Sequence, residues 1–293
     1  MLSNISILCF AASYSLALAV EIASLKVRIA WRRGWLLAIV LAGLAAHTLY
    51  LWQRAGESES PPLASPAEWL LLAAWTLAVV YAAALIYLPR AASGLFHVPL
   101  ILGLIVASLA ASREPFATER ASRFWRDLHG SVLLLGTVAV CIGFTAGVMY
   151  LLQSYWLKRR RPPSEGFRLP SLEWLERIIT GALAVSTVLI GVGFATGLIL
   201  SRLSHRGEAD FRLWTDPVVW SLAAMFAWLV AAEAFRLVYP AARRGRKVAY
   251  LTLASFGFLV IVLASLLWLD SLHGAAPPAN PAAQIQDRGP THA

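Results

Sequence analysis

Residues 131–152, SVLLLGTVAVCIGFTAGVMYLL, carry no charged side chain, and the run KRRR at 158–161 closes the stretch. As a helix this segment is about 33 Å long at about 1.5 Å per residue, enough to cross the roughly 30 Å hydrocarbon core of a bilayer. Lipid offers backbone groups no hydrogen-bond partner, so such a segment must satisfy its own N–H and C=O groups, as a helix does. The basic run marks where it emerges.

Working outward, comparable apolar blocks occur near residues 4–25, 35–52, 67–89, 95–111, 129–156, 178–201, 218–240 and 248–271. The chain of 293 residues is 59% hydrophobic and 14% charged, with a mean hydropathy of +0.66. A soluble domain carries about 25% charged residues, so the balance points to a membrane solvent. The sequence predicts an all-α, polytopic bundle of about eight transmembrane helices. Three parts are expected: an N-terminal four-helix part at 1–111, a second membrane part at 112–273, and a Pro-containing disordered tail at 274–293. Residues 1–25 contain no Lys or Arg, so the first block is expected to be a retained helix and not a cleaved signal.

Orientation follows from the loops. Alternate connections, together with the span ends beside them, hold 16 of the 25 basic residues, from Lys26 and Arg28 through Arg90 and Lys158–Arg161 to Arg243, Arg244 and Lys247. The remaining basic residues are mixed with most of the acidic ones. The basic side is predicted to face the cytoplasm, with both termini outside. The net charge of +9 is then a topology signal with attraction to anionic lipid heads, and no nucleic-acid partner is expected. The two cysteines, Cys9 and Cys141, lie in apolar runs and form no Cys-x-x-Cys pair, which leaves no thioredoxin-like, zinc-ribbon or covalent-heme motif.

The histidines sort by this topology. His129 opens the fifth block and His273 follows the eighth, both on the predicted outer side, and the loop with Trp214, Asp216, Pro217 and Trp220 lies between them in sequence. Two imidazoles at one membrane face beside indole rings suit the two axial positions of a heme iron, although a solvated helix-end histidine is the commoner occupant of such a place. His47 falls about five residues, roughly 7.5 Å, inside the second block, where an ionisable group marks a functional candidate. His97, beside Pro99, is expected at the inner interface. Glu21 is expected to reach Lys26 or Arg28, and Glu233 to pair with Arg236 along one helix face.

The ordered series from His129 to His273 resembles the cytochrome c assembly protein family, the CcsA/HemX-like and YpjD-like heme-handling membrane proteins. The pieces are LHGSVLLLGTVAV, the exit YLLQSYWLKRRR, the segment LPSLEWLERI, STVLIGVGFATGLIL, WTDPVVWSL, the basic RRGRK turn, and a last helix ending in LHG. The four preceding blocks fit the eight-span layout of the HemX-like branch, in which a His in the second helix is also seen.

The resemblance implies a b-type, non-covalent heme at the outer face of a bacterial inner membrane, with His129 and His273 as metal ligands. Trp214, Asp216, Pro217 and Trp220 would form a platform beside it, and His47 an inner site or relay. It also implies an apocytochrome c and a partner membrane subunit. Where the family has Lys-Glu after the Asp-Pro pair, this chain has Val218 and Val219. It has no His near Phe235 and Arg236, where the synthase branch carries one. Heme handling without heme attachment by this chain alone is therefore the expectation, and no catalytic residue is assigned. Two other functions fit the sequence: a HemX-type regulator of heme biosynthesis acting through 157–177, and a small-solute transporter.

Overall fold

The computed structural model describes residues 6–27, 31–57, 65–88, 91–113, 123–160, 167–204, 216–239 and 245–269. Among them are eight helices: α1 Ile7–Ala23, α2 Arg32–Glu57, α3 Pro66–Tyr87, α4 Gly94–Ala110, α5 Arg123–Lys158, α6 Leu172–Ser204, α7 Pro217–Val238 and α8 Arg246–Trp268. Six of these are long and apolar enough to cross a membrane; α1 and α4, at 17 residues each, are shorter. Large apolar side chains cover the outside of the bundle, among them Leu8, Leu41, Val106, Val188 and Ile261. A water-soluble protein would bury them. The chain is a multi-pass membrane protein.

The helices form two groups. Within the first, α1 packs on α2 and α4, and α3 on α2 and α4; within the second, α5 packs on α6 and α8, and α7 on α6 and α8. Helix α5 also touches α3 and α4 and so joins the groups. Successive helices alternate in direction: Glu21 near the end of α1 meets Arg32 at the start of α2, and Arg54 near the end of α2 meets Glu68 at the start of α3. One end of the bundle therefore gathers Arg32, Arg33, Lys158, Arg159, Arg160, Arg246 and Lys247 and is called here the basic end; His129 lies towards the other.

Each group is tied to the other at both ends. At the basic end Ala91 bridges Arg168, with the Ala92 N–H donating to the Arg168 carbonyl at 2.9 Å. Phe167 beside it packs on Trp156 at 5.0 Å and on Phe96 at 6.4 Å between ring centres. Trp156, at the end of an apolar block, is thus part of a seam between loops. At the other end the Trp69 ring of α3 lies directly over Gly130 of α5, where a Cβ would meet it.

Helices start where local chemistry allows. Ser65 caps α3 by accepting from the Glu68 N–H, and Pro66 occupies the first position, whose N–H has no helical partner. Asp216 and Pro217 do the same for α7. Several boundaries differ from the apolar blocks. Helix α2 runs over 32–57 and not 35–52, α5 starts six residues before His129, and α6 starts at Leu172, so much of LPSLEWLERI is helical. Hydropathy marks the length in lipid, while the hydrogen-bonded helix continues past it into charged turns.

Candidate functional site

His129 sits in the second turn of α5, half-buried against α6. Its Nδ1 is 2.9 Å from the carbonyl oxygen of Gly193 and 3.5 Å from Thr196 Oγ1. A carbonyl only accepts, so the ring donates there; this assigns the proton to Nδ1 and leaves the lone pair on Nε2. The Thr196 hydroxyl lies within donor reach of the Val192 carbonyl at 2.8 Å and of the Gly193 carbonyl at 3.0 Å, beside the oxygen that accepts from the imidazole. The ring is fixed in tautomer and direction by α6.

Two glycines make this seat. A Cβ at Gly197 would stand 2.7 Å from His129 Cε1, and one at Gly193 would strike the Leu133 side chain. The backbones of α5 and α6 approach closely through this Gly-x-x-x-Gly step, as small-residue steps allow in membrane helices. One turn further in, Gly136 faces Ile190, and two turns beyond that Gly143 faces Ala182. The seam therefore keeps one antiparallel register over about four turns.

A neutral imidazole whose Nδ1–H is held by a backbone carbonyl is the usual state of a metal-bound histidine, with Nε2 as the donor. His129 fits an axial heme ligand in that respect. His273 and Trp214 lie outside the described residues, as do His205 and His292. Asp216 and Pro217 are brought to the same end of the bundle, where they begin α7: Asp216 Oδ1 accepts from the Val218 N–H at 2.8 Å and is buried. Val218 and Val219 are buried in the first turn of α7, which explains apolar residues at this point. Trp220 follows with its side chain 58% exposed. No group of three or more His, Cys, Asp or Glu suited to a metal ion occurs among the described residues.

His47 is elsewhere, in the α1–α2 seam, fully buried. Its ring lies parallel to Phe10 at 4.0 Å, and Tyr14 Oη is 3.5 Å from Nδ1. Nε2 is buried with no hydrogen-bond partner. His47 lies ten residues before the end of α2, and the aromatic clamp from α1 was not foreseen; Phe10 and Tyr14 are one turn apart on the buried face of α1.

His97, expected at the inner interface, stands in the first turn of α4, at the basic end. It is buried, with Nδ1 3.0 Å from the Ser93 carbonyl and its ring stacked on Tyr81. Tyr81 in turn donates to Glu21 at 2.9 Å, and the other Glu21 oxygen is paired with Arg32; Arg28, one of the expected partners, lies outside the described residues. Gly94 sits against both Tyr81 Oη and Glu21 Oε1, where a Cβ would collide. Sequence gave only one signal for this cluster, an acidic residue in an apolar block. Its partners are set by packing of α1, α2, α3 and α4. Glu233 and Arg236 do pair on α7 as expected.

No family model, no curated protein and no solved structure matches this chain.

Proposed function

We propose that the chain is a heme-handling membrane protein of the cytochrome c assembly type, resident in a bacterial inner membrane, holding heme at its His129 end. The observation that supports this reading is the seat of His129, whose Nδ1–H is tied to the Gly193 carbonyl so that Nε2 is the donor atom. His129 and His273 would be the axial ligands of a non-covalent, b-type heme. Bound heme would supply the iron and the vinyl groups with which apocytochrome thiols react.

The chain's own part is to hold and orient. Gly193, Thr196 and Gly197 fix the imidazole; Asp216 and Pro217 start α7 and set where the loop bearing Trp214 leaves the bundle, with Trp220 on the first turn. His47 provides a separate nitrogen within the membrane, for an inner contact or relay. Eight crossings place the basic end in the cytoplasm and both termini outside. Helices α1 and α4, about 25 Å each, cross at the lower limit of length, with neighbouring basic side chains reaching the interface. An apocytochrome c and a partner membrane subunit would complete attachment, which this chain alone does not perform.

Axial ligation is tested by the spin state of heme in the purified protein. A six-coordinate low-spin spectrum is expected, changing to five-coordinate in His273→Ala or His129→Ala. An unchanged low-spin spectrum in both variants contradicts the ligand pair.

One observation favours a second reading. The two four-helix groups run in the same sense, and the third helix of each opens with a cap, a proline and a tryptophan: Ser65-Pro66…Trp69 and Asp216-Pro217…Trp220. A parallel repeat of this kind is a transporter architecture. The first-to-second-helix seams differ, however: α1–α2 encloses an aromatic clamp and α5–α6 a glycine seat, and the heme reading accounts for the latter.

A further inference from the structure

Arg126 stands three residues before His129 on α5, nearer the end of the bundle away from the basic loops. At about 100° and about 1.5 Å per residue, it lies about 60° around the helix from His129 and about 4.5 Å further out. On the same count, position 126 falls between the side that meets α6 at His129 and the side that meets Trp69 of α3 at Gly130. Helical side chains lean towards the N-terminus, which for α5 carries the guanidinium further outward. The Arg126 side chain is only 23% exposed, and its one ionic contact among the described residues is Asp127 Oδ1, 3.8 Å from Nε. That separation is beyond hydrogen-bond reach, and the Asp127 side chain is 59% exposed, so water weakens the pair. A guanidinium has five N–H donors and keeps its charge. Other partly buried arginines have close acceptors: Arg32 has Glu21, Arg236 has Glu233, and Arg246 has Ser154. Arg126 has no acceptor of that kind among the described residues.

We propose that Arg126 binds a propionate carboxylate of the heme held at His129, an inference that rests on the heme reading above and adds a second point of attachment to it. Heme carries both of its carboxylates on one edge of the macrocycle. With iron at the imidazole, a cation one turn towards the aqueous end stands on the side where those carboxylates keep contact with water. The arginine fork matches the two oxygens of a carboxylate. Ligation by His129 leaves the macrocycle free to turn about the bond from iron to Nε2. An ion pair at one edge removes that freedom, and the vinyl groups, which lie on other edges, are carried to fixed positions.

The full chain is purified in detergent, stripped of heme, and titrated with hemin and with hemin dimethyl ester, in which both carboxylates are blocked. Soret absorbance gives the two affinities for the wild type, Arg126→Gln and the control Arg202→Gln. Arg202 is exposed near the same end of the bundle, nine residues from Gly193 and so on the opposite face of α6. Arg126→Gln is expected to weaken hemin binding about tenfold, the low end for a charge-assisted hydrogen bond, and to leave binding of the diester unchanged. Arg202→Gln is expected to change neither. At saturation Arg126→Gln keeps the wild-type low-spin spectrum, because the iron ligands are untouched. Equal weakening of hemin and diester would show a packing role and overturn the proposal, as would hemin binding that the substitution leaves unchanged. Should the variant fold poorly, the wild type decides: hemin bound no more tightly than its diester overturns the proposal. Failure of the underlying reading is separately visible, as no Soret complex in the wild type or one unchanged in His129→Ala, and either result overturns the proposal with it.

Discussion

A Cβ at position 197 and the His129 ring compete for one space, and this gives the seat a direct handle. Gly197→Ala places a methyl 2.7 Å from Cε1, so the ring must turn away from Gly193. Overpacking of this kind costs about 1–3 kcal/mol. Gly257, in α8, has nothing within 4 Å of its Cβ position, and Ala there is expected to be neutral or slightly stabilising. Thermal melts and heme content of both variants check this: Gly197→Ala lowers both, and Gly257→Ala lowers neither. His47 behaves differently. Its Nε2 is buried without a partner, and an unsatisfied buried polar atom costs about 1–3 kcal/mol. His47→Phe with Tyr14→Phe retains the stack on Phe10 and leaves neither Nε2 nor the Tyr14 hydroxyl buried without a partner, so the melting temperature is expected to rise while heme at the other seam is retained. A fall in melting temperature would show that Nε2 has a partner within the membrane.

Much of this residue detail could not be read from one sequence. That His47 stands on α2 followed from its place in an apolar block. The clamp by Phe10 and Tyr14 did not, because it depends on which face of α1 meets α2. The seat of His129 had a visible signal in the glycine step of GFATG and its preceding GVG, yet a glycine step names no partner helix. His97 was legible at the start of the fourth block; its stacking on Tyr81 was not, because that depends on how α3 meets α4.

At the scale of elements, the charged cluster of Glu21, Arg32 and Tyr81 clamps the ends of α1, α2 and α3, with Gly94 of α4 pressed against it. Glu21 is fully buried, so removing one partner leaves an uncompensated charge. Arg32→Met alone is expected to destabilise by about 3–5 kcal/mol, and Glu21→Leu with Arg32→Met by clearly less. A double-mutant cycle on reversible unfolding in detergent checks it; additive losses contradict a coupled pair. Existence and order of the helices were legible from hydropathy, because lipid forces each block to be helical. Their ends were not, because Arg32, Arg123 and the Glu-rich start of α6 are good helix residues that leave no mark in an apolar count.

For the whole molecule, the basic end is the feature on which the proposed orientation rests. Lysines and arginines at α2, α5 and α8 gather there by the alternation of helix direction. In a background without Cys9 and Cys141, single cysteines placed at 157–160 are expected to resist a membrane-impermeant thiol reagent in intact cells, and those at Ser6 and Ser112 to react. Labelling of 157–160 from outside contradicts the orientation, and with it an external heme site. The two groups of four helices meet along α5, which also carries His129, so the proposed ligand lies on the element that joins them.

His129, held through Nδ1 against α6, is the proposed heme ligand. The measurement that bears on it most directly is the heme absorbance per mole of the detergent-purified full chain, wild type beside the double variant His129→Ala with His273→Ala and the control His205→Ala. The wild type and control are expected to carry a Soret band of equal size and the double variant to lose most of it. A colourless wild-type protein from heme-replete cells, or a double variant as coloured as the wild type, would contradict the account.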